Sequence, residues 1–265
     1  MSALKRLTSP WPAGWDRKRR STATMAAAAV AMVVVLWALA RVVSFAPEPI
    51  GSNAQAFADG ARVTVELTLV SGAAGIVLGI VAALGKLSRV PPVRWIASFY
   101  VWVIRGTPLL IQVFFAYFAL PQLLPFLKLE EFGWACVALA LNVGAYNAEA
   151  IRSGLLAVPR GQLEAARSLG MNRWFTFIDV TLPQAFKIAL PPLVNNVVAL
   201  LKDSSLASVI GLVELTNTAD LLRAKTYLPI PSLVTSASIY LLLTTVMTQF
   251  SGAVERRFDI EDKLA

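Results

Sequence analysis

Four ionisable side chains lie deep in long apolar runs of this 265-residue chain: Arg105, Glu149, Lys202 and Asp203. A charge at bilayer depth costs on the order of 2.5–3.5 kcal/mol on insertion scales, so such residues face a bundle interior, a partner or a water-filled path. Lys202 and Asp203 are neighbours and project in different directions on a helix, so each needs another partner. Glu149 and Arg105 are the candidates. Thr107, Gln112, Tyr146, Asn147, Asn195, Asn196, Ser204 and Ser205 add polar groups at similar depth. Together these residues can hold a zwitterionic solute: Glu149 or Asp203 would attract an α-ammonium, and Arg105 or Lys202 an α-carboxylate. Arginine offers a planar two-donor fork that a carboxylate accepts well. The alternative is a buried ion-pair network that fixes helix packing, and each polar side chain alone is as well explained by an interhelical hydrogen bond.

Backbone breaks accompany the charges. Gly106 and Pro108 interrupt an apolar run beside Arg105, and Pro191 with Pro192 disturbs another. Proline removes a helical hydrogen bond and frees a carbonyl. Non-helical backbone at membrane depth persists only where protein or a cavity covers it.

Other chemistries are excluded. The chain has no histidine and a single cysteine, Cys136, in an apolar run, which leaves no internal disulfide, no histidine-dependent metal site and no catalytic dyad. The nearest approach to a phosphate-binding loop, Gly79 to Leu87, has five residues before Gly85-Lys86 where four are needed. Leu87 stands where Ser or Thr must hold magnesium.

The elements that position these residues are membrane helices. The chain is 57% hydrophobic and 15% charged, with mean hydropathy +0.64, which places it among all-α polytopic membrane proteins. Six spans are expected, near 25–45, 63–87, 93–120 (interrupted at Arg105-Gly106-Thr107-Pro108), 132–157, 186–212 and 230–250, each long enough for a bilayer of about 30 Å. The first run is too long and lacks a small-residue cleavage site, so no cleavable signal is expected. Six spans put both termini on one side. That side carries 17 of the 24 lysines and arginines, in the N-terminal segment (Lys5, Arg6, Arg17–Arg20), the 86–94 turn, the 152–187 loop and the tail. Positive charge collects in cytoplasmic loops, so the termini are expected in the cytoplasm.

The longest polar segment between two apolar runs is Pro159 to Pro183, PRGQLEAARSLGMNRWFTFIDVTLP. Pro159 suits a helix start, Gly170 a helix stop, and Asn172 can cap a second short helix beginning near Arg173. Helix, glycine corner and helix would lie outside the membrane. Ala165, Ala166 and a glycine make a thin surface that another protein can approach, with Arg160, Glu164, Arg167 and Arg173 supplying directional charge.

The spacing Glu164-Ala165-Ala166, three residues, Gly170, nine residues, Val180, one residue, Leu182-Pro183 resembles the EAA loop of bacterial ABC-importer permeases. Val180 stands where that pattern prefers isoleucine. ELTL from Glu66, RGTPLLIQVFF from Arg105, GAYNAEAIRSG from Gly144 and LKDSSLASVIG from Leu201 narrow the resemblance to permeases for polar amino acids (the histidine, glutamine, arginine, glutamate and opine group), over about Arg62 to Ala253. The resemblance implies a type I ABC-importer transmembrane domain in the bacterial inner membrane: a five-helix core at 61–253 with an additional N-terminal helix within 25–60. A basic segment 1–24 and a tail 254–265 would lie in the cytoplasm. The loop 158–184 would be the coupling helix, where Arg160, Gly161, Glu164, Ala165, Ala166 and Gly170 meet an ATPase. Asn147 stands where that group often has an apolar residue. The implied partners are two ATPase subunits that bind ATP and magnesium, a second permease subunit identical or related to this one, an external solute-binding protein and the amino acid itself. This chain would need no cofactor of its own and hydrolyse nothing. A secondary transporter driven by protons or sodium also suits intramembrane carboxylates and broken helices, although it gives the EAA spacing no role and no inverted repeat is evident. A membrane-embedded enzyme lacks its catalytic residues.

Overall fold

A computed structural model describes residues 16–258. Lys5 and Arg6 of the basic segment and Lys263 of the tail lie outside the described residues. Among those described, the regular structure is helical throughout. Helix α1 (Arg17–Val43) is followed by α2 (Ala54–Lys86), α3 (Pro91–Gly106) and α4 (Leu109–Phe114), the last continued by a π-turn and one further helical turn to Leu123. Then come α5 (Glu131–Leu156), α6 (Arg160–Ser168), α7 (Leu182–Asp203), α8 (Leu215–Thr226) and α9 (Pro229–Arg257).

Long apolar helices form here because no backbone group can be left unsatisfied in lipid. Four stretches are long and apolar enough to cross a bilayer: Lys18–Val43, Gly51–Lys86, Arg173–Ile210 and Pro229–Arg257. The α3–α4 pair makes a fifth if its two arms are one span. Helix α5 has 26 residues, about 39 Å at 1.5 Å per residue, but its apolar face is diluted by Asn142, Tyr146, Asn147 and Glu149. It can carry them because it is the central helix, packed against α2, α3, α4 and α7.

Helices α2 and α5 cross at close range. A Cβ on Gly75 would come 2.2 Å from a methyl of Val143, and one on Gly79 2.6 Å from the Cβ of Asn147. This is a small-xxx-small seam, which lets two membrane helices pack backbone to backbone. A second core gathers Leu39 and Val43 of α1, Phe57 and Ala61 of α2, Leu215 and Ala219 of α8, and Ile239 and Leu243 of α9. The additional N-terminal helix is thus seated against α2 and α9.

The third expected span differs from a single rod: α3 and the following arm, Leu109–Leu123, are bent by 113°. Thr107 (φ −119°, ψ 149°) and Pro108 (φ −64°, ψ 137°) are both extended, as a residue before proline prefers to be. The expected disturbance at Pro191 and Pro192 is absent, since α7 runs through both from Leu182 to Asp203. Helix α8 falls between the fifth and sixth expected spans; its buried apolar residues pack against α1, α2 and α9.

Candidate functional site

The break between α3 and α4 is built from one side-chain amide. Pro108 has no N–H, so the carbonyl of Ile104, four residues earlier, has lost its helical donor. Gln112 Nε2 donates to that carbonyl at 2.7 Å, to the Thr107 carbonyl at 3.1 Å and to Thr107 Oγ1 at 2.9 Å. Its Oε1 accepts from Asn142 Nδ2 of α5 at 2.9 Å. Beside this staple, the exposed Arg105 guanidinium lies 5.3 Å from the centroid of the Tyr146 ring, also on α5.

The residues expected along a polar path divide into two sets. Arg105, Thr107, Tyr146 and Lys202 are exposed on the single chain, with Asp203 and Ser205 half-buried. Gln112, Asn147, Glu149 and Ser204 are held by bonds within the chain. Asn147 is fully buried and its Oδ1 accepts from Asn196 Nδ2 at 2.9 Å, tying α5 to α7. Ser204 Oγ donates to the Leu201 carbonyl at 2.8 Å, where α7 tightens into a 3-10 turn.

The expected pairing of Glu149 with Lys202 is replaced by another. Glu149 takes Lys86, at the end of α2, on one oxygen, and Arg152, a turn along α5, at 2.9 and 3.0 Å on the other. Arg152 lies at i+3, within helical reach, and Lys86 is delivered by the α2–α5 crossing. Neither Lys202 nor Asp203 has an ion-pair partner within 4 Å among the described residues. Arg105 stacks on Tyr146 and pairs with neither.

A carboxylate that sequence reasoning missed is the most enclosed. Glu214 is fully buried and caps α8, accepting from the Thr216 and Asn217 amides, both at 2.8 Å, and from Tyr240 Oη of α9 at 2.8 Å. Burial pushes its carboxyl above the usual carboxylate range, although these donors favour the charged form. Its signal in the sequence was weak, an acidic residue that the macrodipole favours at a helix start, since glutamate is not among the preferred N-cap residues. Asn142 and Lys86 were missed for another reason, since their partners are 30 and 63 residues away; Arg152, at i+3 from Glu149, was legible as a partner and went unread.

The expected external loop is a helix–corner–helix. Helix α6 spans Arg160–Ser168, with Pro159 at its N-cap. Gly170 sits at φ 82°. Its amide bonds the Arg167 carbonyl at 2.9 Å, and the Met171 amide bonds the Ala166 carbonyl at 3.1 Å, the two bonds of a Schellman ending. Asn172 caps the next turn, Arg173–Phe175, by accepting from the Phe175 amide at 3.0 Å. Ala166 is buried, whereas Arg160, Gly161, Glu164, Ala165 and Gly170 are exposed, flanked by exposed Leu169, Trp174 and Phe175. One face of α6 is thus seated and the rest, bearing both charge and large apolar groups, is uncovered. Among the described residues no cluster of three metal-ligating side chains occurs.

Residues 75–260 match the family described as the binding-protein-dependent transport system inner membrane component. The chain belongs to that family. As a member, it is 42% identical over 204 residues to the arginine transport system permease protein ArtQ of Bacillus subtilis, covering 77% of this chain and 93% of that protein. It is 40% identical to the L-cystine transport system permease protein TcyB of the same species, covering 76% and 85%, and 36% identical to the glutamine transport system permease protein GlnP of Escherichia coli, covering 76% and 92%. A solved structure described as an amino acid ABC transporter with histidines superposes with a TM-score of 0.73 at 39% identity, over 78% of this chain and 95% of that one. The inward-facing MetNI methionine ABC transporter shares the fold, with a TM-score of 0.58 at 19% identity over 79% and 99%. Helix α1 precedes the residues matched by the family.

Proposed function

We propose that this chain is the membrane-spanning permease subunit of an ATP-driven importer that takes up a polar amino acid handed over by an external solute-binding protein. The observation that carries this reading is the exposed α6 helix, closed by a Schellman corner and set between two membrane helices in a chain whose relatives are amino acid transport permeases. Its charged, small-residue surface suits a groove in a cytoplasmic ATPase. In this reading the permease core spans 61–253, both termini and α6 face the cytoplasm, and a second permease subunit completes the path. ATP and magnesium are bound by the ATPase pair. ATP closes that pair, α6 and its counterpart move together, and the membrane helices shift between two arrangements. The shift is as large as the difference in the contacts each state makes.

The solute path is assigned to the polar groups this chain leaves uncovered. Arg105 and Lys202 offer donors for a carboxylate, and Asp203 an acceptor for an ammonium. Gln112, Asn147, Glu149 and Ser204 support that surface from within. Family membership gives the ion-gradient alternative no support. Uptake into proteoliposomes containing the complete transporter tests the reading: it follows internal or external ATP on the ATPase side and is indifferent to collapse of proton and sodium gradients. Uptake that tracks an ion gradient and ignores ATP would sink it.

A further inference from the structure

We infer that Gln112 is a positioning residue: its side-chain amide stands in for the backbone N–H that Pro108 lacks and, through Asn142, fixes the α3–α4 bend so that Arg105 faces Tyr146. The inference rests, for its consequence in transport, on the reading of Arg105 as a solute contact.

Three observations meet at this amide. Proline at 108 orphans the Ile104 carbonyl, and Gln112 Nε2 reaches that carbonyl at 2.7 Å. The bend also exposes the Thr107 carbonyl, because the Ile111 and Gln112 amides both turn to Pro108 O; the same Nε2 reaches Thr107 at 3.1 Å. The remaining oxygen of Gln112 is used by Asn142, itself buried in α5. Every hydrogen-bonding atom of the amide is thus committed to holding the break or anchoring it to the central helix. A carbonyl freed at membrane depth needs a donor from protein or water, and here Gln112 supplies it from within the chain. Arg105 is two residues before the first extended residue and Tyr146 one helical turn beyond Asn142. The Gln112–Asn142 bond ties the bend to α5, and the Gln112–Ile104 bond ties it to α3, so together they set the distance between Arg105 on α3 and Tyr146 on α5. The sequence string RGTPLLIQ contains the whole device: the arginine, the proline and the amide that replaces its donor.

Two measurements on the assembled transporter test this. Spin labels at the exposed Trp102 and Leu123, in a Cys136→Ser background, read the angle between the arms. Gln112→Leu is expected to broaden and shift the distance distribution, and Asn142→Leu to do so to a smaller degree. A narrow, unshifted distribution in both variants overturns the inference. In uptake, Arg105→Gln is expected to lower the rate about tenfold, the size of one charge-assisted hydrogen bond. Gln112→Leu should cause a comparable loss, and the double variant should be no worse than either, because both act through one contact. Multiplying losses, about a hundredfold together, would show that Gln112 does not act through Arg105. If the labels move but Arg105→Gln transports normally, the solute reading of Arg105 fails and the positioning of the bend stands. Should Gln112→Leu fail to assemble, Asn142→Leu, which leaves the proline's substitute donor in place, carries both measurements.

Discussion

The carboxylate of Glu149 on α5 closes on the ammonium of Lys86 at the end of α2. Arg152 holds the other carboxylate oxygen, so one acidic residue is shared by two cations at the end of the α2–α5 seam. Less than a third of each side chain is exposed, so removing the acid leaves Lys86 with a poorly solvated charge. Glu149→Gln is expected to lower stability by about 1–3 kcal/mol, the cost of leaving a part-buried donor without its acceptor. Lys86→Gln in the same chain should restore part of that loss. Thermal unfolding of the detergent-solubilised single and double variants checks this; losses that add in the double variant would mean that the two residues are independent.

Asn147 and Asn196 give a second interhelical bond, without charge. Replacing Asn196 by Ala leaves Asn147 fully buried and lacking its donor, at a cost of about 1–3 kcal/mol. Replacing both by Leu and Ala removes the polar atoms together and should cost less than the single change to Asn196. Solute preference should be the same in both variants. A changed preference, measured by competition among amino acids in uptake, would place Asn147 on the path rather than behind it.

These contacts mark where sequence reasoning reached its limit. Long membrane helices were legible because apolar runs of bilayer length mark them, whereas the short α8 was not, and the α6 corner was legible because its glycine, cap and alanines act locally. The N-cap bond of Asn172 and the positive φ of Gly170 follow from neighbouring residues alone. Partner identity at Glu149 was not legible. The residue that claims it, Lys86, is 63 positions away and comes into reach only through the glycines at 75 and 79. Pro191 and Pro192 were expected to break α7, yet the helix continues through them, whereas at Pro108 the same residue type makes a bend of 113°. The difference is the extended Thr107 and the amide of Gln112 that replaces the missing donor.

At Gly170 the backbone is left-handed, where a Cβ costs about 1–2 kcal/mol. Space is open around it, so strain is the only penalty for Gly170→Ala. The variant should fold and insert normally, but its α6 corner should open more often. Faster backbone amide exchange at Gly170 and Met171 is the expected outcome, and unchanged protection there would contradict the Schellman assignment.

Glu214 supplies a pH dependence. Its folded-state pKa is raised by burial, so its contribution to stability is fully present below the ordinary glutamate value of about 4.5 and is lost as pH rises through the higher folded value. Relative to Glu214→Gln, which does not titrate, the wild-type melting temperature should therefore fall as pH is raised from 4.5. A difference between the two that stays flat, or that grows in favour of wild type, would show that the Thr216, Asn217 and Tyr240 donors outweigh burial.

The central claim is that α6 delivers the work of a partner ATPase to the membrane helices. The most direct measurement is ATP hydrolysis by this chain reconstituted with its ATPase and with solute-binding proteins loaded with different amino acids. Stimulation by a loaded binding protein, abolished by Glu164→Lys while the permease remains folded and inserted, is the predicted result. Hydrolysis indifferent to Glu164→Lys, or no association with any ATPase, would contradict it.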